Sequence, residues 1–539
     1  MSTKTDSASP AIGPGLAKGT LVAGLLAVCL AQIGLAIPAT LNGLFQSDLQ
    51  PVGSQLTWIS DAFLLPVAVL ELTFGLLGDL FGRKRLLVGG AALLAVGEVV
   101  STTSAGIHQL WFGQTLAGLG AAALFPTSLA ILAAGTTSPA HRARVIALWA
   151  ALLSTGGFLA PLLGGITATY GSWRWSFVVV TAIAAASAVI SALFATDSRS
   201  PEGRSLDPAG QITIGIGLFA LLYAIIQGPT DGWASTPIVS AFVVAAASLG
   251  LFVLAELRAA SPLLRLDLFR NRSFAIASVV AVVGMFGFLG TAYAVSIRLG
   301  PVQDQPPMRT AMAFLLLNGI ALAMLPLTER LLKSVTPRLL LGSGLMLIAA
   351  GDYWAATLPI TDRAFTSLIL PLGLVGLGFA VTVSSITATA VNTVPLHLAG
   401  MASATTNQLR DFGFTLGPAV IGAVALSQAS SGFHSSLHAS ALPESLKGAG
   451  SAVLEEGGPL AVNGASAASP KLAELHPLAL EALGHGYAIG FVVCGTAALV
   501  SALLALVALR GRSAGSAVPS PVETARPSCG EAEGFRSRT

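Results

Sequence analysis

About fourteen stretches of this chain run for about 20 residues with few charges, and that repetition restricts it to a helical membrane fold. A helix rises about 1.5 Å per residue and the hydrocarbon core of a bilayer is roughly 30 Å thick, so each stretch has the length of one crossing. Over 539 residues, 54% are hydrophobic and 10% charged, with mean hydropathy +0.78. A soluble globule carries about 25% charged residues, so a water-soluble enzyme or binding module is excluded. The spans fall at 19–45, 57–77, 86–104, 109–134, 145–169 and 173–195, then 210–227 and 237–257, then 273–297, 310–332, 338–358, 365–391, 401–427 and 487–509.

Cations set the expected orientation, because Lys and Arg stay preferentially on the cytoplasmic side. Every second loop is basic: Arg83, Lys84 and Arg85; Arg142 and Arg144; Arg199 and Arg204; Arg258, Arg265, Arg270 and Arg272; Arg330, Lys333 and Arg338. The intervening short loops carry chiefly Arg174, Arg298, Arg309 and Arg363, and Arg510 and Arg512 follow the last span. Both termini are therefore expected in the cytoplasm. The net charge of +3 reflects this bias and points to no nucleic acid. Cys29, Cys494 and Cys529 lack the paired spacing of a disulfide framework or metal site. No nucleotide loop, metal-ligand pair or hydrolytic Ser/His constellation stands at persuasive spacing, and His108, His141 and His397 are isolated near loop ends. Neither an enzyme nor a bound cofactor or metal is expected.

The loop after the second span reads Gly75-Leu76-Leu77-Gly78-Asp79-Leu80-Phe81-Gly82-Arg83-Lys84-Arg85. Glycines permit a sharp turn at the lipid boundary, an acid closes one helix and a basic cluster opens the next. An ordinary cytoplasmic loop explains the cations but neither the glycine spacing nor Asp79. The fifth span reads Gly156-Gly157-Phe158-Leu159-Ala160-Pro161-Leu162-Leu163-Gly164-Gly165, in which small residues allow close helix approach and Pro161 breaks the local hydrogen-bond ladder. These two runs resemble the loop between helices two and three of the major facilitator superfamily and the antiporter signature of its exporters. The resemblance extends from Leu21 to Arg510, and the six, two, six arrangement is similar to its fourteen-span drug/proton antiporter branch, which includes antibiotic resistance and export proteins of actinomycete type.

The resemblance implies an all-α integral membrane protein with two six-helix bundles and an inserted helix pair. Expected divisions are a cytoplasmic tail (1–18), an N-terminal bundle (19–195), a linker with the pair (196–272), a C-terminal bundle (273–509) and a second tail (510–539). The segment 428–486, rich in Ala, Ser, Gly and Pro, belongs to the C-terminal bundle and faces the exterior. It reads either as a lid or, preferably, as a flexible connector with a short helix near 472–483. The tails are expected to be disordered. No residue-level repeat between the halves stands out.

Implied function is export of a hydrophobic or aromatic drug or antibiotic by proton antiport, from a monomer in the bacterial cell membrane. Gly75, Asp79, Gly82, Arg83 and Lys84 would gate, and Gly156, Pro161, Gly164 and Gly165 would control closure. Gln114 stands where the family commonly has a buried arginine, and Cys29, Ala31 and Gly34 replace its usual polar residues in the first span. The family's usual acid and base in this half therefore do not carry over, and any proton coupling would rest on other charges. A carboxylate at the bilayer centre costs about 2.5–3.5 kcal/mol on insertion scales, so each one there needs a partner or a task. Candidates are Asp411, Glu71, Glu98 and Asp352, each of which also fits a static polar contact. Asn407 lies three residues before Arg410 and four before Asp411, so it can neighbour both on one helical face, as a coupling cluster or a structural pair. Asp61 and Arg142 read as peripheral gating and topology charges. Gln114, Phe125, Phe158 and Phe414 are candidate cavity residues, with Trp149 and Phe379 beside them. A facilitator for another solute without proton coupling and a non-transporting membrane sensor are the alternatives.

Overall fold

Helix starts and stops follow local chemistry. The computed structural model describes residues 16–200, 206–259, 262–391, 393–394 and 399–509. Ser138 accepts a hydrogen bond from the amide of His141 and Pro139 occupies the first turn, which starts one helix. Asp207 with Pro208 starts another in the same way, as does Asn271 through the amides of Ser273 and Phe274. Gly82, at φ +112°, ends one helix and begins the next without an intervening loop.

The first six helices are α1 (Lys18–Leu49), α2 (Gln55–Phe81), α3 (Arg83–Thr102), α4 (Ile107–Ala134), α5 (Pro139–Tyr170) and α6 (Trp173–Phe194). The inserted pair is α7 (Pro208–Asp231) and α8 (Thr236–Arg258). Then come α9 (Arg272–Ile297), α10 (Pro307–Phe314), α11 (Ile320–Ser334), α12 (Pro337–Thr357), α13 (Phe365–Val391), α14 (Ala399–Ala439), α15 (Glu444–Ala468) and α16 (His476–Ala508). A π turn, Leu315–Gly319, joins α10 and α11 into one bent span, and a second, Arg298–Val302, prolongs α9. Fourteen of these segments are long and apolar enough to cross a membrane. The protein is an all-α, multi-pass membrane protein.

Within each six-helix bundle the third and fourth members are packed backbone to backbone. A methyl on Gly97 of α3 would sit 2.4 Å from Ala117 N of α4, and one on Gly351 of α12 would sit 2.5 Å from Pro371 O of α13. Such approaches exclude any side chain, which is how membrane helices gain dispersion contacts where hydrophobic driving force is absent. The first helix of the inserted pair, α7, lies along one seam between the bundles, and α8 packs on α7. Gln211 of α7 donates to Val69 O of α2 at 2.9 Å, and Leu222 and Ile226 pack on Ala419 of α14.

The segment 428–486 corrects the expectation of a flexible connector. α14 runs on to Ala439, α15 folds over its end, and α16 starts as early as His476. Phe433, Leu437, Val462, Leu475, Ala479 and Ala482 form a buried cluster of their own. Apolar residues scattered among Ala, Gly and Ser thus find partners on the extended ends of α14 and α16, and this burial offsets the ordering entropy. Gly458, at φ +76°, and Pro459 kink α15 so that Gly457 O accepts from Gly53 N of the α1–α2 connection at 3.0 Å. Val462→Asp is expected to unseat α15, because it replaces a 1% exposed side chain worth about 1.5–3 kcal/mol of burial with a carboxylate. Limited proteolysis between residues 440 and 475 should then accelerate; an unchanged digestion pattern would contradict this packing.

Of the expected tails, 1–18 and 510–539, residues 1–15 and 510–539 lie outside the described residues, as do Arg204 and His397, while α1 already begins at Lys18.

Candidate functional site

Two carboxyl groups meet between the bundles. Glu71 of α2 lies within hydrogen-bonding reach of Asp411 of α14, with Arg410 close enough to interact with both charges. Arg410 Nε and Nη2 each stand 3.1 Å from Asp411 Oδ1, and the guanidinium also lies 5.8 Å from the Phe414 ring centroid. Asp411 is twelve residues from Ala399 and Glu71 ten from Phe81, so both lie about 15–18 Å from the same end of the molecule at 1.5 Å per residue. Depth therefore matches across the interface. Gln408, one turn away on α14 and 4% exposed, donates its amide to Ala68 O of α2. Close backbone contact fixes α14 in register: a methyl on Gly413 would sit 2.3 Å from Val282 O of α9, and one on Gly417 would sit 2.7 Å from Gly290 N.

The charge count at this cluster constrains its chemistry. One guanidinium balances the charge of one carboxylate, and two facing carboxylates repel each other when both are ionised. Glu71 Oε2 is buried without a hydrogen-bond donor, consistent with a group whose charge is not permanently compensated.

The other acids stand apart. Glu98 of α3 is fully buried with both oxygens unpartnered, and it faces Gly34 of α1, whose added methyl would lie 3.5 Å from Glu98 Oε1. Gln114 of α4 is also fully buried, donating to Ser101 Oγ at 3.0 Å inside the α3–α4 interface, one turn along from Glu98. Asp352 of α12 accepts from Thr291 of α9 at 2.7 Å and touches Gly495 of α16, so it is no partner for Arg410. Asp61 corrects the peripheral reading: it is 0% exposed, seven residues into α2, with both oxygens unpartnered and Tyr293 of α9 nearby. Asp61 lies close to the start of α2 and is nevertheless enclosed by neighbouring helices, which its position along the span does not reveal.

A repeat was also present and missed. Gly90, Gly97 and Glu98 in α3 recur with the same spacing as Gly344, Gly351 and Asp352 in α12. Each set packs its glycines on the following helix and buries its acid at 0% exposure. Its signal in the sequence is two glycines seven residues apart, the second followed by an acid, in the third span of each half.

The loop after α2 is latched within its own half. Arg83 Nη2 lies 2.7 Å and Nε 3.0 Å from Asp79 Oδ1, while Lys84 N donates to Asp197 Oδ1 at 3.1 Å and Arg83 N to Ser198 O at 3.1 Å. A side chain on Gly82 would strike the Asp197 carboxylate at 2.8 Å, and one on Gly75 would press on Pro126 at 3.3 Å. The fifth-span glycines divide into two faces. Gly156 and Gly164 take α1, at Cys29 O and Thr40, whereas Gly165 meets Ala311 of α10 and Phe158 lies on Gly319 of the π turn. Pro161 sits inside α5 between these contacts.

Further bonds join the halves at the end that carries α15. Asn42 Nδ2 donates to Ser296 Oγ at 2.9 Å, Thr57 and Tyr293 hydroxyls are 2.7 Å apart, and a methyl on Gly43 would sit 2.8 Å from Gly300 Cα. A cavity of about 790 Å³ lies at this end, among Gln46, Gly300, Asp304, Arg363, Asn463 and His476. It is remote from Asp411. Of the aromatic candidates, Phe125 is buried in the main core, Phe414 lies against Arg410 and Phe158 against Gly319, so they occupy three separate contacts.

Residues 24–418 match the sequence model of the Major Facilitator Superfamily. The chain is a member of that superfamily. As a facilitator it is 31% identical over 370 residues to the multidrug resistance protein Stp of Mycobacterium tuberculosis, covering 68% of each chain. It is 27% identical over 493 residues to the tetracenomycin C resistance and export protein of Streptomyces glaucescens, covering 90% of each. Among solved structures, a bacterial homologue of the human lysosomal transporter Spinster, in an inward-facing and unoccupied conformation, aligns with TM-score 0.63 at 15% identity over 90% of this chain and 96% of that one. A peptide transporter of the POT type aligns with TM-score 0.59 at 17% identity over 92% and 95%. Those likenesses show the facilitator fold, two six-helix bundles here joined by the inserted pair α7 and α8.

Proposed function

We propose that this facilitator exports a hydrophobic or aromatic drug or antibiotic across a bacterial cell membrane by exchanging it for protons, through the Glu71–Asp411–Arg410 cluster. The observation that carries the reading is the meeting of two carboxyls from opposite halves at one depth beside one guanidinium. Protonation of the pair alters the force between α2 and α14, which belong to the two bundles that must move relative to each other in alternating access. The relatives' names, multidrug resistance and tetracenomycin C resistance and export, supply the substrate class.

The basic loops favour a cytoplasmic side for both termini and for the Asp79 turn, and the reading adopts that orientation. On that assignment the Asn42–Ser296, Thr57–Tyr293 and Gly53–Gly457 contacts tie the two halves together at the exterior end. Asp79, Gly82, Arg83 and Lys84 act as a latch at that cytoplasmic end. Gly156 and Gly164 hold α5 on α1 while Gly165 rolls on α10, with Pro161 as the bend.

Efflux of fluorescent cations and aromatic antibiotics from proteoliposomes, with and without an imposed pH gradient, tests this function. Gradient-dependent efflux is the expected result. Equal flux with and without the gradient would contradict antiport and favour an uncoupled facilitator, and flux of none of these compounds would contradict the drug-export reading.

A further inference from the structure

The extension of α14 carries a second, independent chemistry. His434 and His438 stand one turn apart on its exposed face, with Nε2 atoms 3.2 Å from each other and ring centroids 4.4 Å apart. Two imidazole nitrogens bound to one tetrahedral ion at about 2.0–2.1 Å lie about 3.3 Å apart, and in a right-angled arrangement about 2.9 Å. The observed separation falls between these values. Without an ion, the same pair shares one N–H between two nitrogens.

The turn that holds the pair is fixed from its other side. Phe433 and Leu437, each one position before a histidine, are 0% exposed in the cluster with Val462, Leu475 and Ala479. Burial of those two residues sets the rotation of α14, so both imidazoles emerge on the outward face before any ligand arrives. Preorganisation of this kind lowers the cost of binding.

We propose that His434 and His438 form a transition-metal site that takes Cu(II), Zn(II) or Ni(II). Imidazole suits these borderline ions, and the ordinary affinity order favours Cu(II). Two positions on the ion stay open to water, and the chelate closes a ring across one turn of the segment on which α15 rests. The site stands on geometry alone and does not depend on which compound is transported. Spacing of four residues acquires this meaning only on a helix, which is why a segment read as coil concealed it.

The test is titration of untagged protein in lipid nanodiscs with Cu(II), followed by electron paramagnetic resonance. One ion per chain with two nitrogen ligands is expected, displaced by excess Zn(II) or Ni(II). His434→Ala and His438→Ala are each expected to weaken binding about a hundredfold, because the second imidazole acts at high effective concentration. His476→Ala should leave it unchanged. Absence of stoichiometric binding, or binding that survives both substitutions on α14, would overturn the site.

Discussion

Asp411→Asn is expected to abolish export driven by a pH gradient while leaving the protein inserted and folded. The substitution keeps size and one hydrogen-bonding oxygen but removes the carboxylate, so Arg410 retains a polar neighbour and Glu71 loses the acid that faces it. An amide also leaves Arg410 to pair with Glu71 as a permanent ion pair, which no longer responds to protons. Efflux should therefore fall to the rate measured without a gradient. Glu71→Gln is expected to do the same, and the double variant to be no worse than either alone, because residues that act as one unit do not contribute additively. Normal gradient-driven export by Asp411→Asn would remove the cluster from the mechanism. Asp352→Asn provides a contrast. Its carboxyl bonds Thr291 within one half, so its loss should leave the gradient dependence in place.

Gly82→Leu is expected to slow turnover about tenfold or more while substrate affinity stays within about twofold, since holding a non-glycine residue in a sparsely populated backbone region costs of order 1–3 kcal/mol. Gly82 sits at φ +112°, and the first carbon of any side chain meets Asp197 at 2.8 Å. Asp197 also receives the amide of Lys84, so the substitution disturbs the contact that joins the loop to the segment after α6. The strain acts on the latch and leaves the Glu71–Asp411 pair untouched. Turnover from initial efflux rates and affinity from equilibrium binding separate the two. Weakened binding with unchanged turnover would contradict the gating assignment.

The spans were legible because a crossing helix must write its own length in apolar residues, and fourteen segments among the described residues do. Glycine spacing was equally direct: Gly82, Gly156 and Gly165 are small because atoms of Asp197, Cys29 and Ala311 occupy the space a side chain needs. Pairing over long sequence distances was not legible. Glu71 and Asp411 each stood out as costly acids, yet nothing local to either says that the two face each other from different bundles. Asp61 was misjudged for a related reason, since depth in the protein and distance from a helix end are different quantities. The segment 428–486 failed through composition. Its Leu, Val and Phe residues are too sparse to form a core alone, and they become sufficient only when α14 and α16 project far enough to receive them.

Proton release on substrate binding tests the central claim most directly. Substrate identified by the efflux panel is added to the purified protein in weakly buffered solution, and the pH change is followed for wild type and Asp411→Asn. Release of about one proton per chain by wild type, and none by the variant, is the result expected of a shared proton on the Glu71–Asp411 pair. Equal release by both proteins, or binding by wild type with no release, would contradict it.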